Sequence, residues 1–338
     1  MQATQTKDLA RAWSEAHVRP LWEIPLAHAE RTQPPRAHLW EWRILEPLVL
    51  EALNVTSPDA VERRVLSLID PGAAGGEFHT TTNLNAAFQI LKPGESARPH
   101  RHSMNALRFI LKGSGATTTV DGKVCPMAEG DLLLTPGWTW HEHKHSGDAP
   151  IVWLDVLDVA LHLYFGTDRF EPGPVHDVPE LPREAAFASA NVVPADVANH
   201  GYSPVFHYPL ADAVAAARHA PKSPDGTRRV RYINPLTGGT VMSTLDCYLV
   251  ALDPDVDSVP FRTTANAVCA IVSGSGTTTV GDQRFAWHQR DVLSLPHGHW
   301  ITHRAAGEPA YLFVVTDRDV YRRLDILTEE YHADSRAK

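Results

Sequence analysis

Five histidines fall in two tight groups: His100 and His102 in Pro99-His-Arg-His-Ser, and His141, His143 and His145 in Trp140-His-Glu-His-Lys-His. Imidazole nitrogens suit borderline transition metals such as Fe, Mn, Zn, Cu and Ni. In an extended segment, side chains two apart share a face, roughly 7 Å from one another. His100 and His102 can therefore converge on one ion, and His141, beyond Gly130-Asp131 and Pro136, is the candidate third ligand. The segment Ser103–Phe109 carries no carboxylate. Three neutral imidazoles would leave a divalent metal its full charge, so the site needs an anionic bidentate ligand. Arg108 falls on the His102 face by strand alternation, and a guanidinium there can fork onto a carboxylate. His143 falls on the His141 face and can act as a general acid or base near neutral pH. Asp155, in the apolar run IVWLDVLDVAL, can orient a histidine from behind. Each has a plainer reading: a surface ion pair for Arg108, a scaffold bond for His143, a buried hydrogen-bond cap for Asp155.

These residues must be positioned by strands, and the chain supplies them twice. Pro99-His-Arg-His-Ser-Met-Asn105-Ala106 lines up with Pro260-Phe-Arg-Thr-Thr-Ala-Asn266-Ala267, and Gly113-Ser-Gly115 with Gly274-Ser-Gly276 at the same offset. One residue is then lost, after which Asp131, Pro136, Trp140 and His143 match Asp291, Pro296, Trp300 and His303. Arg64 of RRVLSLID aligns with Arg229 of RRVRYIN, and Gln89 with Val250. Short β-rich runs bounded by Gly, Asp and Pro indicate an antiparallel sandwich or barrel. Asp121-Gly122 predicts a primed hairpin turn, repeated at Gly281-Asp282. The fold class is therefore all-β, two small double-sheet barrels with short flanking helices. The expected organisation is an N-terminal helical arm (1–60), a metal-binding barrel (61–165), a Pro-rich connector with a helix (166–227), a second barrel (228–318) and a helical tail (319–338). Helical periodicity marks 6–18 and 207–219, and a helix is predicted over Asp319 to Tyr331. In the second copy Phe261, Thr263 and Ile301 replace the three ligands, so no second metal is expected there; His297, His299 and His303 are assigned to packing or subunit contact.

Composition excludes several classes. The 338 residues are 43% hydrophobic and 21% charged, with 31 basic against 40 acidic side chains, a net charge of −9. No basic block suggests nucleic acid, and no apolar window reaches the roughly 18 residues of a membrane span. The first residues lack the pattern of a secretory signal, and Cys125, Cys247 and Cys269 form no disulfide framework, so a cytoplasmic protein is expected. Barrel edges make a homodimer or homotetramer the expected assembly.

Gly94-x5-His100-x-His102 and Gly130-x5-Pro136-x4-His141 match the two spaced signatures of the cupin superfamily. More specifically, Pro99–Gly115, Met127–His143 and Trp153-Leu154-Asp155-x-Leu157-Asp158 resemble the gentisate and salicylate 1,2-dioxygenase family, which includes 1-hydroxy-2-naphthoate dioxygenases. The resemblance implies a bicupin (two double-stranded β-helix, or jelly-roll, barrels) with Fe(II) on His100, His102 and His141. It implies O2-dependent ring opening of a small aromatic hydroxy acid, between the carboxyl-bearing and hydroxyl-bearing carbons. By the same resemblance Arg108 would bind the substrate carboxylate, Arg64 and Gln89 would line the pocket, and His143 and Asp155 would stand near the reacting oxygens. Two departures stand out. His145 replaces an Asn common in cupins, and Asn85 replaces an aromatic residue frequent four positions before the pocket Gln. A polar residue at 85 keeps a substituted salicylate (nitro-, chloro- or amino-) or 1-hydroxy-2-naphthoate open beside gentisate. Rival readings are a cupin decarboxylase or isomerase, disfavoured by the missing Glu ligand, and a non-catalytic aromatic-acid-binding module.

Overall fold

The structure, a computed structural model, describes residues 15, 36–61, 63–72, 79–189 and 191–332. The helix expected over 6–18 lies, apart from residue 15, outside the described residues. The described chain starts with β1 (Leu39–Trp40), α1 (Trp42–Val55) and α2 (Pro58–Val61). The first barrel follows: β2 (Val65–Leu68), β3 (Asn85–Leu91), β4 (Ser96–His102), β5 (Ala106–Lys112), β6 (Ala116–Val120), β7 (Lys123–Met127), β8 (Leu132–Thr135), β9 (His141–His145) and β10 (Ile151–Leu157). Next come α3 (Val159–Phe165), β11 (Phe170–Pro172), β12 (His207–Tyr208) and α4 (Leu210–His219). The second barrel runs through β13 (Arg228–Tyr232), β14 (Asp246–Leu252), β15 (Phe261–Thr263), β16 (Ala267–Ser273), β17 (Ser275–Val280), β18 (Gln283–His288), β19 (Val292–Leu295), β20 (Ile301–Ala305) and β21 (Ala310–Thr316). The chain ends on α5 (Arg318–Arg323) and β22 (Glu329–Tyr331).

Each barrel pairs a six-stranded with a five-stranded antiparallel sheet. In the first these are β12-β8-β5-β10-β3-β2 and β11-β4-β9-β6-β7. In the second they are β1-β19-β16-β21-β14-β13 and β18-β17-β20-β15-β22. The all-β reading holds, and the repeat extends to detail. Asn105 bonds Asp158 through its backbone N–H (2.9 Å) and its amide (3.0 Å), and Asn266 holds Asp317 the same way (2.7 and 2.9 Å). Asp158 and Asp317 precede α3 and α5, so this repeated Asn fixes where each barrel hands over to its closing helix. At the hairpin, Asp121 (φ 43°) and Gly122 (φ 78°) both take positive φ, as a type I′ turn requires.

Strands β3, β5 and β10 are buried on both faces. The inner face lines the first barrel. The outer face packs on the six-stranded sheet of the second, where Phe109 and Phe313 stack at 4.2 Å and 7°. One apolar cluster accordingly runs from Phe88, Leu107 and Leu154 to Leu249, Val268 and Phe313. Segments outside the barrels stitch them: β1 pairs with β19, while α1, starting two residues later, sets Trp42 edge-on to Phe88.

Two expectations change. The predicted helix over Asp319 to Tyr331 is a short helix, α5, followed by a strand, β22, that pairs with β15. Exposed edge backbone on β15 offers Glu329–Tyr331 a ladder, and that tertiary pairing overrides local periodicity. The connector does the same twice: β11 pairs with β4, the strand of His100 and His102, and β12 pairs with β8, so the helix expected over 207–219 begins only at Leu210.

Candidate metal centre

Strand alternation builds the site. On β9 the burial pattern alternates, so His141, His143 and His145 face inward and Glu142 and Lys144 outward. Pairing of His100 with His141 across β4 and β9 brings the two groups together, and one ligand atom from each of His100, His102 and His141 lies within 4.8 Å of the others. Among the described residues this is the only group of three or more His, Cys, Asp or Glu with that spacing.

The tautomers are set from outside the cluster. His102 Nδ1 donates to the Met104 carbonyl (2.9 Å) and His141 Nδ1 to the Thr139 carbonyl (3.0 Å). His100 Nδ1 faces the Arg98 carbonyl at 3.3 Å and also meets the Arg63 guanidinium. For His102 and His141 the proton is thereby on Nδ1 and the lone pair on Nε2, whereas His100 Nδ1 lies between a carbonyl and a guanidinium that can only donate. Nε2 of both His100 and His141 is buried without a hydrogen-bond partner. Burial, then neighbouring positive charge, drives the three rings neutral: His100 falls to about 2, His102 to about 4, and His141 well below the usual range. Buried, neutral, oriented imidazoles with unspent lone pairs are what a metal ligand set requires, so these residues fit a divalent transition metal.

Around the cluster lie the other expected residues. Arg108 is buried, donates from Nη1 to Thr135 Oγ1 (2.7 Å), and sets Nε 3.3 Å from Asp155 Oδ1. Asp155 also accepts from Trp153 Nε1 at 3.1 Å. Asp155 therefore braces Arg108, not a histidine as its sequence context suggests, because β10 and β5 place the two directly opposite. His143 is held instead by Thr118 Oγ1 at 2.9 Å. The Thr118 hydroxyl has Met127 Sδ (3.3 Å) as an acceptor for its own proton, so His143 donates from Nδ1 and keeps a lone pair on Nε2, which has no partner. Gln89 is buried on the face shared with Trp153, its Nε2 unpartnered. Asn85, on the same face, accepts from the Ala160 N–H (3.3 Å) at the start of α3.

Arg64 does not reach the cluster. All five of its donors are spent, on both Glu95 oxygens (2.8 Å each) and on the Thr56 and Ile90 carbonyls. It ties the residue after α1 to the β3–β4 turn. Its neighbour Arg63, which sequence reasoning passed over, is the one that meets His100; successive residues of an extended segment point to opposite sides. The repeat alignment also shifts by one at this point. Val65 lies opposite Gln89, whereas Arg229 lies opposite Val250, so Arg229 corresponds to Val65 and not to Arg64. His145 is structural: Nε2 donates to the Ala149 carbonyl (2.7 Å) and Nδ1 accepts from Gly147 N–H (3.3 Å), closing the turn after β9.

Comparison with known proteins agrees with this geometry. Residues 87–157 match the cupin domain family. Over 328 residues the chain is 35% identical to gentisate 1,2-dioxygenase 1 of Aquipseudomonas alcaligenes, covering 93% of each protein. It is 33% identical to a 1-hydroxy-2-naphthoate 1,2-dioxygenase of Nocardioides sp. (strain KP7), covering 98% of this chain and 89% of that one. A variant of the salicylate 1,2-dioxygenase from Pseudoaminobacter salicylatoxidans, solved with gentisate, superposes with a TM-score of 0.89 at 27% identity, covering 98% of this chain and 96% of its own.

Proposed function

The chain belongs to the gentisate and salicylate 1,2-dioxygenase family of bicupins, which are ring-cleaving enzymes, and from that premise we propose that it is an Fe(II) enzyme opening a 2-hydroxybenzoate such as gentisate. The observation that carries the reading is the buried set of three neutral histidines beside two guanidiniums, Arg63 and Arg108. Such a site favours an anion that chelates through a carboxylate and an adjacent phenolate, because the ligand set itself brings no negative charge. A ferrous ion held by His100, His102 and His141 would supply the redox chemistry between O2 and an electron-rich ring.

The rest is work for the chain's own side chains. Arg108 Nη2 is not spent on Thr135 or Asp155 and is free to hold the substrate carboxylate, with Asp155 fixing the guanidinium plane. Gln89 Nε2 supplies a second donor on the same inner face. His143 Nε2 can accept from a ring hydroxyl. Strands buried on both faces exclude water from this arrangement, which strengthens each of these contacts. Asn85, with its carbonyl engaged at α3, leaves less apolar surface near the ring than an aromatic residue would. That keeps 5-substituted salicylates beside gentisate as substrates.

Oxygen uptake by anaerobically iron-loaded protein tests this against gentisate, salicylate, 5-nitrosalicylate, 5-chlorosalicylate and 1-hydroxy-2-naphthoate. Uptake matched by loss of ring absorbance is expected with at least one. His102→Ala should lose both bound metal and turnover. Absence of uptake with every compound, with iron bound, would reject the oxygenase reading.

A further inference from the structure

The second barrel holds a cavity of about 250 Å³ at the place of the first barrel's histidine cluster. Strand register fixes the equivalence: Phe261 pairs with Ile301 as His100 pairs with His141. Phe261, Thr263 and Ile301, which replace the three ligands, all line the cavity, with Val250 and Leu312 adding apolar wall. An apolar cavity of roughly 150 Å³ accommodates a benzene ring. This one has room for a ring and a small polar group.

Thr263, Thr316, Tyr248, Tyr331 and the Arg318–Glu329 ion pair also line the cavity, with Glu329 spent on Arg318, Tyr248 on Asp246 and Thr316 on the Asn266 carbonyl. Two further polar side chains face that space with a donor unspent. The first is Arg229, whose position opposite Val250 places it on the inner face, where the first barrel has Val65. Thr227 accepts from its Nε (3.3 Å) and Asp225 from its Nη2, and Nη1 has no partner among the described residues. The second is His303, at the position of His143 but in the other tautomer. Trp287 stands where the first barrel has Met127, and its Nε1 donates to Thr278 Oγ1 at 2.8 Å. No sulfur is there to take the Thr278 proton, so the hydroxyl donates to His303 Nδ1 (2.8 Å) and the ring carries its proton on Nε2. Burial and Arg229 hold the ring neutral, near 4. The cavity thus presents apolar wall from Phe261, Ile301, Val250 and Leu312 and unspent donors on Arg229 and His303, the first a cation, and asks for acceptor oxygens on an apolar body. A carboxylate on one ring satisfies both.

We propose that the second barrel is a metal-independent binding site for a single-ring aromatic monocarboxylate, its carboxylate held by Arg229 and His303 and its ring against Phe261, Ile301 and Leu312. The site is separate from the histidine cluster and does not depend on which substrate the first barrel cleaves. The first barrel has Val65, not an arginine, at the position of Arg229, so this guanidinium is not carried over from the metal-binding barrel.

The test is a fluorine NMR titration of the anaerobic, metal-loaded protein with para-fluorobenzoate, which lacks the adjacent hydroxyl of a chelating substrate. Wild type, Arg229→Met and Ala267→Phe are compared, the last filling the cavity from its wall. Loss of a charged hydrogen bond predicts binding weaker by roughly 10- to 100-fold in Arg229→Met, and the filled cavity should abolish it. Oxygen uptake with the first barrel's substrate, in the absence of fluorobenzoate, should be unchanged in both variants, which also shows that they fold. Binding of equal affinity and stoichiometry in all three proteins would overturn the proposal, since the ligand would then sit elsewhere. So would the absence of binding to wild type.

Discussion

Arg108 and Asp155 face each other across β5 and β10, both buried, and neither can be judged alone. Burial raises the Asp155 carboxyl and lowers the guanidinium, each opposed by the other's charge. Arg108→Met leaves an uncompensated carboxylate in the interior, a loss of about 3–5 kcal/mol. Arg108→Met combined with Asp155→Leu removes both charges and should recover most of that stability. It should not recover turnover, because the group proposed to hold the substrate carboxylate is gone. Denaturant unfolding and oxygen uptake on the two variants separate these effects; a double variant as unstable as the single would show that the pair is not what the stability depends on. At this scale the three imidazoles were legible because HxH spacing on a strand and a later His carry their chemistry in plain sequence. The partner of Asp155 and the choice between Arg63 and Arg64 were not, since both depend on cross-strand register, which a single strand does not encode.

The elements that carry the site are held by positions the motifs include for packing reasons. Gly130, in the second signature, has φ +87°, and a Cβ there would come within 2.2 Å of Leu210 Cδ2 in α4. Asp131 next to it accepts from the Leu210 N–H at 3.0 Å, so the turn before β8 is where the connector docks on the first barrel. Gly130→Ala adds left-handed strain and a clash together, about 2–4 kcal/mol. The expected result is a lower melting temperature with earlier proteolysis between the barrels, read by limited digestion. A variant with wild-type stability would mean that Leu210 moves aside freely. The strands themselves were legible from alternation and turn residues, as the Asp121-Gly122 hairpin illustrates. Strands of two or three residues such as β1, β11 and β22 were not, because each exists only through pairing with a distant edge.

Both barrels unfold as one body if the shared cluster decides it. The repeat in the sequence announced two units, but apolar runs such as Ile151–Leu157 do not say whether their second face meets a helix, a partner subunit or the other barrel. The structure places the other barrel there, with Phe313 of β21 stacked on Phe109 of β5 and packed beside Tyr232. Phe313 is fully buried, so Phe313→Ala should cost about 3–5 kcal/mol. That side chain lies on the outer face of the second barrel, away from the histidines, and rate constants measured at low temperature should stay near those of the native protein. On heating, calorimetry should show a single transition at a lowered midpoint, and oxygen uptake carried by the first barrel should disappear over the same interval. Two separate transitions, with the activity lost at the unaltered temperature, would mean that the interface between the sheets transmits little and that each barrel stands on its own core.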